Sequence, residues 1–189
     1  MTLASVSGKN WKFKDFDHSD IKKYTENYSL SEIAAKLLAI RKNGIEDINL
    51  FLNPTIKNLL PNPFHLKDME NAVKRTFISI QKKELIGIFG DYDVDGATAT
   101  ALLGNYLKKI NHPSYIFIPD RKKDGYGPSI STFKKLIEKK VELIITVDCG
   151  TVSFEAINYA IEKNVEVIVL DHHQSEIKLP NATAIVNPN

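Results

Sequence analysis

The segment Gly90-Asp91-Tyr92-Asp93-Val94-Asp95-Gly96 sets three carboxylates at every second position and closes them with a glycine. Carboxylates this close repel one another and raise each other's pKa unless a cation neutralises them, and oxygen-rich sets suit hard divalent metals. A solvated acidic turn that caps the following helix is the plainer alternative. A calcium-binding helix-loop-helix also opens with Asp-x-Asp-x-Asp-Gly, but it needs a bidentate Glu at its twelfth position, which counted from Asp91 is Leu102. The apolar run Leu85–Phe89 before it reads as a strand where that motif needs a helix, so the calcium loop is excluded.

Two further apolar runs end in groups of the same kind. Ile145-Thr146-Val147 leads into Asp148-Cys149-Gly150-Thr151, and Val169-Leu170 leads into Asp171-His172-His173. A lone Asp at a strand end is commonly a helix cap, and Cys149 beside it is most simply a small packing residue. Two imidazoles next to a carboxylate at a second strand end are harder to read as structural. Mixed carboxylate and imidazole ligation favours Mn²⁺ over Mg²⁺. Asp91, Asp93, Asp95, Asp148 and His172 supply more ligands than one ion needs, which implies two Mn²⁺ or Mg²⁺ ions roughly 3.5–4 Å apart and hydrolysis at phosphorus by an activated water.

The elements that must hold these groups follow from hydrophobic periodicity. Leu85–Phe89, Tyr115–Ile118, Leu143–Val147 and Val165–Leu170 read as buried strands, and the segments near 97–110, 129–140 and 153–163 read as helices. This alternation predicts an α/β fold with a mostly parallel sheet and helices on both faces, whose ligands bind outside the carboxyl ends of the strands. Before residue 85 the pattern is helical, so the expected organisation is a helical amino-terminal segment over 1–84 and an α/β core over 85–189. In the first segment Ser29 or Ser31 caps a helix with apolar residues Ile33, Leu37, Leu38 and Ile40, stopped by Gly44. Pro54, Pro61 and Pro63 interrupt the next elements, after which Met69, Val73, Phe77 and Ile80 form the stripe of a helix running to about Lys83.

The chain has 189 residues, 43% apolar and 25% charged, with a net charge of +2. For that size one full α/β domain, or one domain plus a fragment, is expected, and that charge neither demands nor excludes a polyanionic partner. A single cysteine removes disulfide frameworks and thiolate zinc sites. With no apolar run long enough to span a membrane and no signal-like core in the first fifteen residues, the expectation is a cytoplasmic protein with no membrane partner.

Four motifs in this order resemble the DHH phosphoesterase family, and within it the exonucleases that act on single-stranded DNA: Asp91 to Gly96, Pro119-Asp120-Arg121 with Gly125-Tyr126-Gly127, Val147 to Thr151, and Asp171-His172-His173. The resemblance extends upstream to Phe51-Leu52-Asn53-Pro54 and Met69-Glu70-Asn71-Ala72, and downstream to Val186-Asn187-Pro188. It implies a metal-dependent 5′ to 3′ exonuclease of recombination and repair with single-stranded DNA as partner. Asp93, Asp95, Asp148 and His172 match the family's metal ligands, Asp148 as the bridging carboxylate, and Asp91 belongs to the same motif. His173 matches a residue facing the scissile phosphate, Asp171 a neighbour that orients an imidazole, and Arg121 a substrate-phosphate contact. Read from its residues alone, the loop Arg121-Lys122-Lys123-Asp124-Gly125-Tyr126-Gly127 suits either a phosphate backbone or plain solvent, and Tyr126 either stacks on a base or packs. Family members continue into a further metal-binding Asp, a second domain and a nucleic-acid-binding barrel, so this chain is expected to be an incomplete form, poorly active alone. A DHH-family hydrolase of small nucleotides or pyrophosphate would carry the same metal motifs, whereas a non-catalytic DNA-binding member would have lost ligands.

Overall fold

The computed structural model describes residues 3–12, 14–41 and 45–189, and these form two compact units, Met1–Pro61 and Asn62–Asn189. In the first unit a short antiparallel ribbon, β1 (Leu3–Ala4) with β2 (Asn10–Trp11), precedes α1 (His18–Tyr28), α2 (Glu32–Arg41), α3 (Ile48–Leu52) and α4 (Ile56–Leu59). Between the two candidate serine caps, Ser31 is the one used: its Oγ accepts from Ala34 N–H (3.3 Å), while Ser29 ends α1 in the left-handed conformation. The expected stop, Gly44, lies outside the described residues. The core here is Tyr24, Ala35, Leu38 and Ala39. Ile33 and Leu37, expected in the buried stripe, are exposed, because the small Ala35 and Ala39 carry the contact face instead.

The second unit opens with a 3₁₀ turn (Pro63–His65) and α5 (Met69–Lys82), followed by β3 (Ile86–Gly90), α6 (Val94–Lys109), β4 (Ser114–Phe117), α7 (Ile130–Glu138), β5 (Leu143–Val147), α8 (Phe154–Glu162), β6 (Glu166–Leu170) and β7 (Ala184–Val186). All strand pairs of its five-stranded sheet are parallel, in the order β4-β3-β5-β6-β7. Such strands are covered on both sides. Phe133 and Leu136 of α7 and Ala156, Ile157 and Ala160 of α8 pack on one face, and Ala72 of α5 and Leu107 of α6 on the other. The α/β expectation holds, and β7 is a fifth strand that periodicity did not mark.

The break in compactness falls after Pro61, not at residue 84. The change of pattern at 84 marks where strands begin, but a parallel sheet needs a helix over each face, and α5 supplies one through Met69, Ala72 and Ile80. Asp68, just before α5, accepts from Ile185 N–H of the edge strand β7 (3.3 Å), and Arg75 pairs with Glu84 (2.7 Å) and with Glu166. Val73 and Phe77, read as core from their spacing, are exposed, while Ala72 and Ser79 are the buried positions of α5.

Candidate metal centre

The chain runs from β3 outward to β4 and then returns past β3 to β5, so the strand order reverses between β3 and β5. A crevice opens at that point outside the carboxyl ends of the strands, where ligands of open α/β sheets bind. Pairing aligns Gly90, Val147, Leu170 and Val186 across four strands. The residues that follow the first three are Asp91, Asp148 and Asp171, so sheet register alone brings to one edge carboxylates that are 57 and 23 positions apart in the chain.

Each carboxylate of the first motif has a different backbone setting. Asp91 is buried at the end of β3, with Oδ1 accepting from Tyr92 N–H (2.7 Å) and Oδ2 without a partner. Asp93 caps α6, its Oδ1 accepting from Gly96 N–H (3.0 Å), and that bond is the main reason its pKa lies below the usual carboxylate value. Helix α6 starts at Val94, earlier than periodicity indicated, which places Asp95 exposed in its first turn. Gly96 is required by packing: a Cβ there would lie 2.6 Å from the Cβ, N and O of Asp91.

Asp148 adopts the left-handed conformation (φ 61°) that turns the chain out of β5, and its N–H donates to the Leu170 carbonyl (2.8 Å). Its side chain is buried, with Oδ1 3.0 Å from His172 Nε2 and Oδ2 unpartnered. Burial first, and the nearby Asp93 carboxylate second, raise its pKa. Asp171 is differently placed. It accepts from the N–H groups of Thr151 (3.0 Å), His172 (2.8 Å) and His173 (3.2 Å), and its Oδ1 is 2.7 Å from His173 Nδ1. Burial pushes Asp171 up, but the bonds from Thr151 and His173 outweigh it and bring its pKa down to about 2. The same pairing raises the pKa of His173.

Among the described residues, two groups of side chains can each gather ligand atoms within 4.8 Å of one another: Asp91, Asp93 and Asp148, and Asp148, His172 and His173. Asp148 belongs to both. Asp95 is in neither, but it lines one cleft together with Asp148, Leu170, Asp171 and His172. Arg121 is exposed and lies over the Tyr92 ring (5.3 Å), Tyr92 meets Tyr126 edge to face, and the Tyr126 hydroxyl is 3.4 Å from His173 Nε2. The Arg121 loop is thereby attached to the site, and its turn is fixed by Asp120, which accepts from the N–H groups of Lys122 and Lys123. Cys149 is buried in the core with its thiol pKa raised by burial, as a packing residue should be.

Residues 85–189, more than half of the chain, match the DHH family, N-terminal domain. The chain belongs to the DHH family. It is 36% identical over 184 residues to the single-stranded-DNA-specific exonuclease RecJ of Bacillus subtilis, a match that covers 97% of this chain and 23% of that protein. Among solved structures, an exonuclease RecJ bound to manganese shares 33% identity and a TM-score of 0.61 over 65% of this chain and 31% of its own. RecJ from Thermus thermophilus in complex with Mn²⁺ shares 26% identity and a TM-score of 0.65, over 90% of this chain and 23% of its own. This DHH-family chain thus spans about a quarter of the length of the curated relatives it matches.

Of the residues singled out in sequence, the DHH-family fold brings together Asp91, Asp93, Asp148, Asp171, His172 and His173, sets Asp95 in the cleft that Asp148 and His172 also line, and holds Arg121 through Tyr92. Sequence reasoning missed Tyr92 as a link to Arg121 and Thr151 as a donor to Asp171, and it noted Asn187 only within Val186-Asn187-Pro188, without a role, although its side chain reaches both Thr151 and the His173 carbonyl. For Asn187 a signal was present: it ends an apolar run as the other site residues do.

Proposed function

We propose that this chain carries the metal site of a phosphodiesterase that removes nucleotides from the 5′ end of single-stranded DNA, serving recombination and repair in the cytoplasm. The observation that carries the reading is the pair of buried carboxylate oxygens, Asp91 Oδ2 and Asp148 Oδ2, that lack any hydrogen-bond partner beside a third carboxylate. Buried charge of one sign is costly without a cation, so the donor set fits a divalent ion. Asp91, Asp93 and Asp148 would hold one ion and Asp148 with His172 a second, with Asp148 shared and His173 left free to face the phosphate; Asp95 lines the same cleft. When bound, Mn²⁺ or Mg²⁺ supplies Lewis acidity that neutralises phosphate oxygens and eases ionisation of the attacking water.

The chain's own residues do the positioning. Asp171, fixed by three backbone donors, holds the Nδ1 proton of His173, which leaves Nε2 on the open side next to Tyr126. Because Asp171 also raises its pKa, His173 carries a second proton more readily than a free imidazole, and from Nε2 it can donate to a phosphate oxygen as charge develops. Arg121, oriented over Tyr92, offers a planar donor to a neighbouring phosphate. The identity to single-stranded-DNA exonucleases supports DNA rather than small nucleotides as substrate.

The test is release of nucleotides from 5′-labelled single-stranded oligonucleotides with Mn²⁺, using this chain and one extended to the length of its relatives. Stepwise release by the extended chain, slower release by the short one, and none on duplex ends are expected. Hydrolysis by the extended chain only of dinucleotides or pyrophosphate would replace the DNA reading.

A further inference from the structure

The polar row at the carboxyl edge of the sheet has a fourth member. Register pairs Leu170 with Val186, so the residue after Val186, Asn187, stands next to Asp171 as Asp171 stands next to Asp148. We infer that Asn187 is a positioning residue that holds the His172-His173 turn in place for metal and phosphate, an assignment that takes its catalytic meaning from the hydrolytic reading above.

The geometry is specific. Asn187 Nδ2 donates to Thr151 Oγ1 (2.9 Å) and to the His173 carbonyl (2.9 Å), and its Oδ1 accepts from Asn189 N–H (2.9 Å). Thr151 N–H in turn donates to Asp171, the carboxylate that orients His173. One amide thus joins the turn after β5 to the turn after β6, the two segments that carry Asp148 and both imidazoles. Without it, Asp171 fixes the ring of His173 from one side, while nothing among the described hydrogen bonds to side chains fixes the His173 carbonyl. Pro188 favours this role, since a residue before proline is restricted to extended backbone, so Asn187 loses little freedom on making its bonds. Outer partners of metal-binding histidines typically change metal affinity about 10–100-fold when removed, although they touch no metal themselves.

The experiment compares the 189-residue chain with Asn187→Ala, Thr151→Val and the double variant in two measurements: Mn²⁺ affinity by electron paramagnetic resonance, and amide hydrogen exchange without metal. Asn187→Ala is expected to weaken Mn²⁺ about 10-fold or more. It should also speed exchange at His172 and His173 about 10-fold, with exchange in β5 and β6 unchanged. Thr151→Val removes the bond to Asn187 and also the Thr151 hydroxyl's contact with Asp171, so the double variant should lose more than Asn187→Ala but less than the sum of the two single variants, because the bond they share is lost once. Unchanged exchange at His172 and His173 would overturn the inference whatever the metal does. Uniform acceleration throughout the sheet would also overturn it, since that is loss of structure and not of positioning. Failure of the wild-type chain to bind Mn²⁺ would refute the metal reading instead, and hydrogen exchange would still decide the role of Asn187.

Discussion

Replacing Asp148 by Asn should make the metal-free protein more stable and the metal-loaded protein less so. Asp148 is buried with one oxygen unpartnered, and Asp93 offers a like charge within 4.8 Å. At that distance two unit charges repel by about 3 kcal/mol for an effective dielectric of 20. Asn keeps an acceptor for His172 but loses the charge on that bond, which returns about 1 kcal/mol, leaving a net gain of roughly 1–2 kcal/mol. Asn also suits the left-handed backbone at φ 61°, whereas Ala there is strained by roughly 1–2 kcal/mol, so Asp148→Ala is expected to gain little or nothing. For a unit of this size the gain corresponds to a melting temperature higher by roughly 5 °C. The sign follows from the raised pKa of Asp148: its charge costs stability above that pKa, and the cost disappears below the unfolded value, so the advantage of Asn shrinks on acidification. With Mn²⁺ at about 100 times its dissociation constant the wild type gains about 2.7 kcal/mol. The variant, lacking the ligand common to both groups, gains little. Melting curves with chelator and with Mn²⁺ should therefore cross in rank order. An Asn variant that melts below wild type in chelator, or that responds equally to Mn²⁺, would refute the reasoning.

Gly96→Ala should destabilise the second unit by about 1–3 kcal/mol and weaken Mn²⁺, because the new methyl meets the backbone of Asp91 and either α6 or the carboxylate must move; urea unfolding and a metal titration measure both. Asp171→Asn should cost roughly 2 kcal/mol at neutral pH, the equivalent of lowering a carboxylate to about 2. That contribution is present above the unfolded carboxylate pKa and is lost as pH falls toward 2, so the variant's stability curve should be flatter between about pH 4 and 2 in acid titrations followed by circular dichroism. Arg75→Met should leave the part-buried Glu84 with the Ser79 hydroxyl and the more distant Lys82 ammonium (3.9 Å), costing roughly 1–3 kcal/mol in thermal melts, with Mn²⁺ affinity unchanged because the cluster lies at the opposite end of the strands.

Much of this protein was legible in one dimension because its signals are local. Apolar runs such as Leu143–Val147, ending in acidic or imidazole side chains, marked both the strands and the edge at which chemistry would gather, since buried parallel strands read as continuous apolar stretches. Helix interiors were less legible. Ile33, Leu37, Val73 and Phe77 have core-like spacing yet are exposed, because Ala35, Ala39, Ala72 and Ser79 let the helix backbones approach closely, and small residues carry a weak hydrophobic signal.

The identities of Asp91, Asp148, Asp171, His172 and His173 and their places at strand ends follow from the sequence alone. Which of them meet was decided by tertiary structure. Pairing of Gly90 with Val147, and of Val147 with Leu170, converts separations of tens of residues into a shared edge, while reversal of strand order between β3 and β5 opens the crevice there. The same register sets Asn187 beside Asp171, and the packing of α5 moves the boundary of the compact unit back to Asn62. Sequence pattern records which face of an element is apolar. It does not record which strand lies alongside, because pairing partners are chosen by the burial of the whole sheet and not by any one segment.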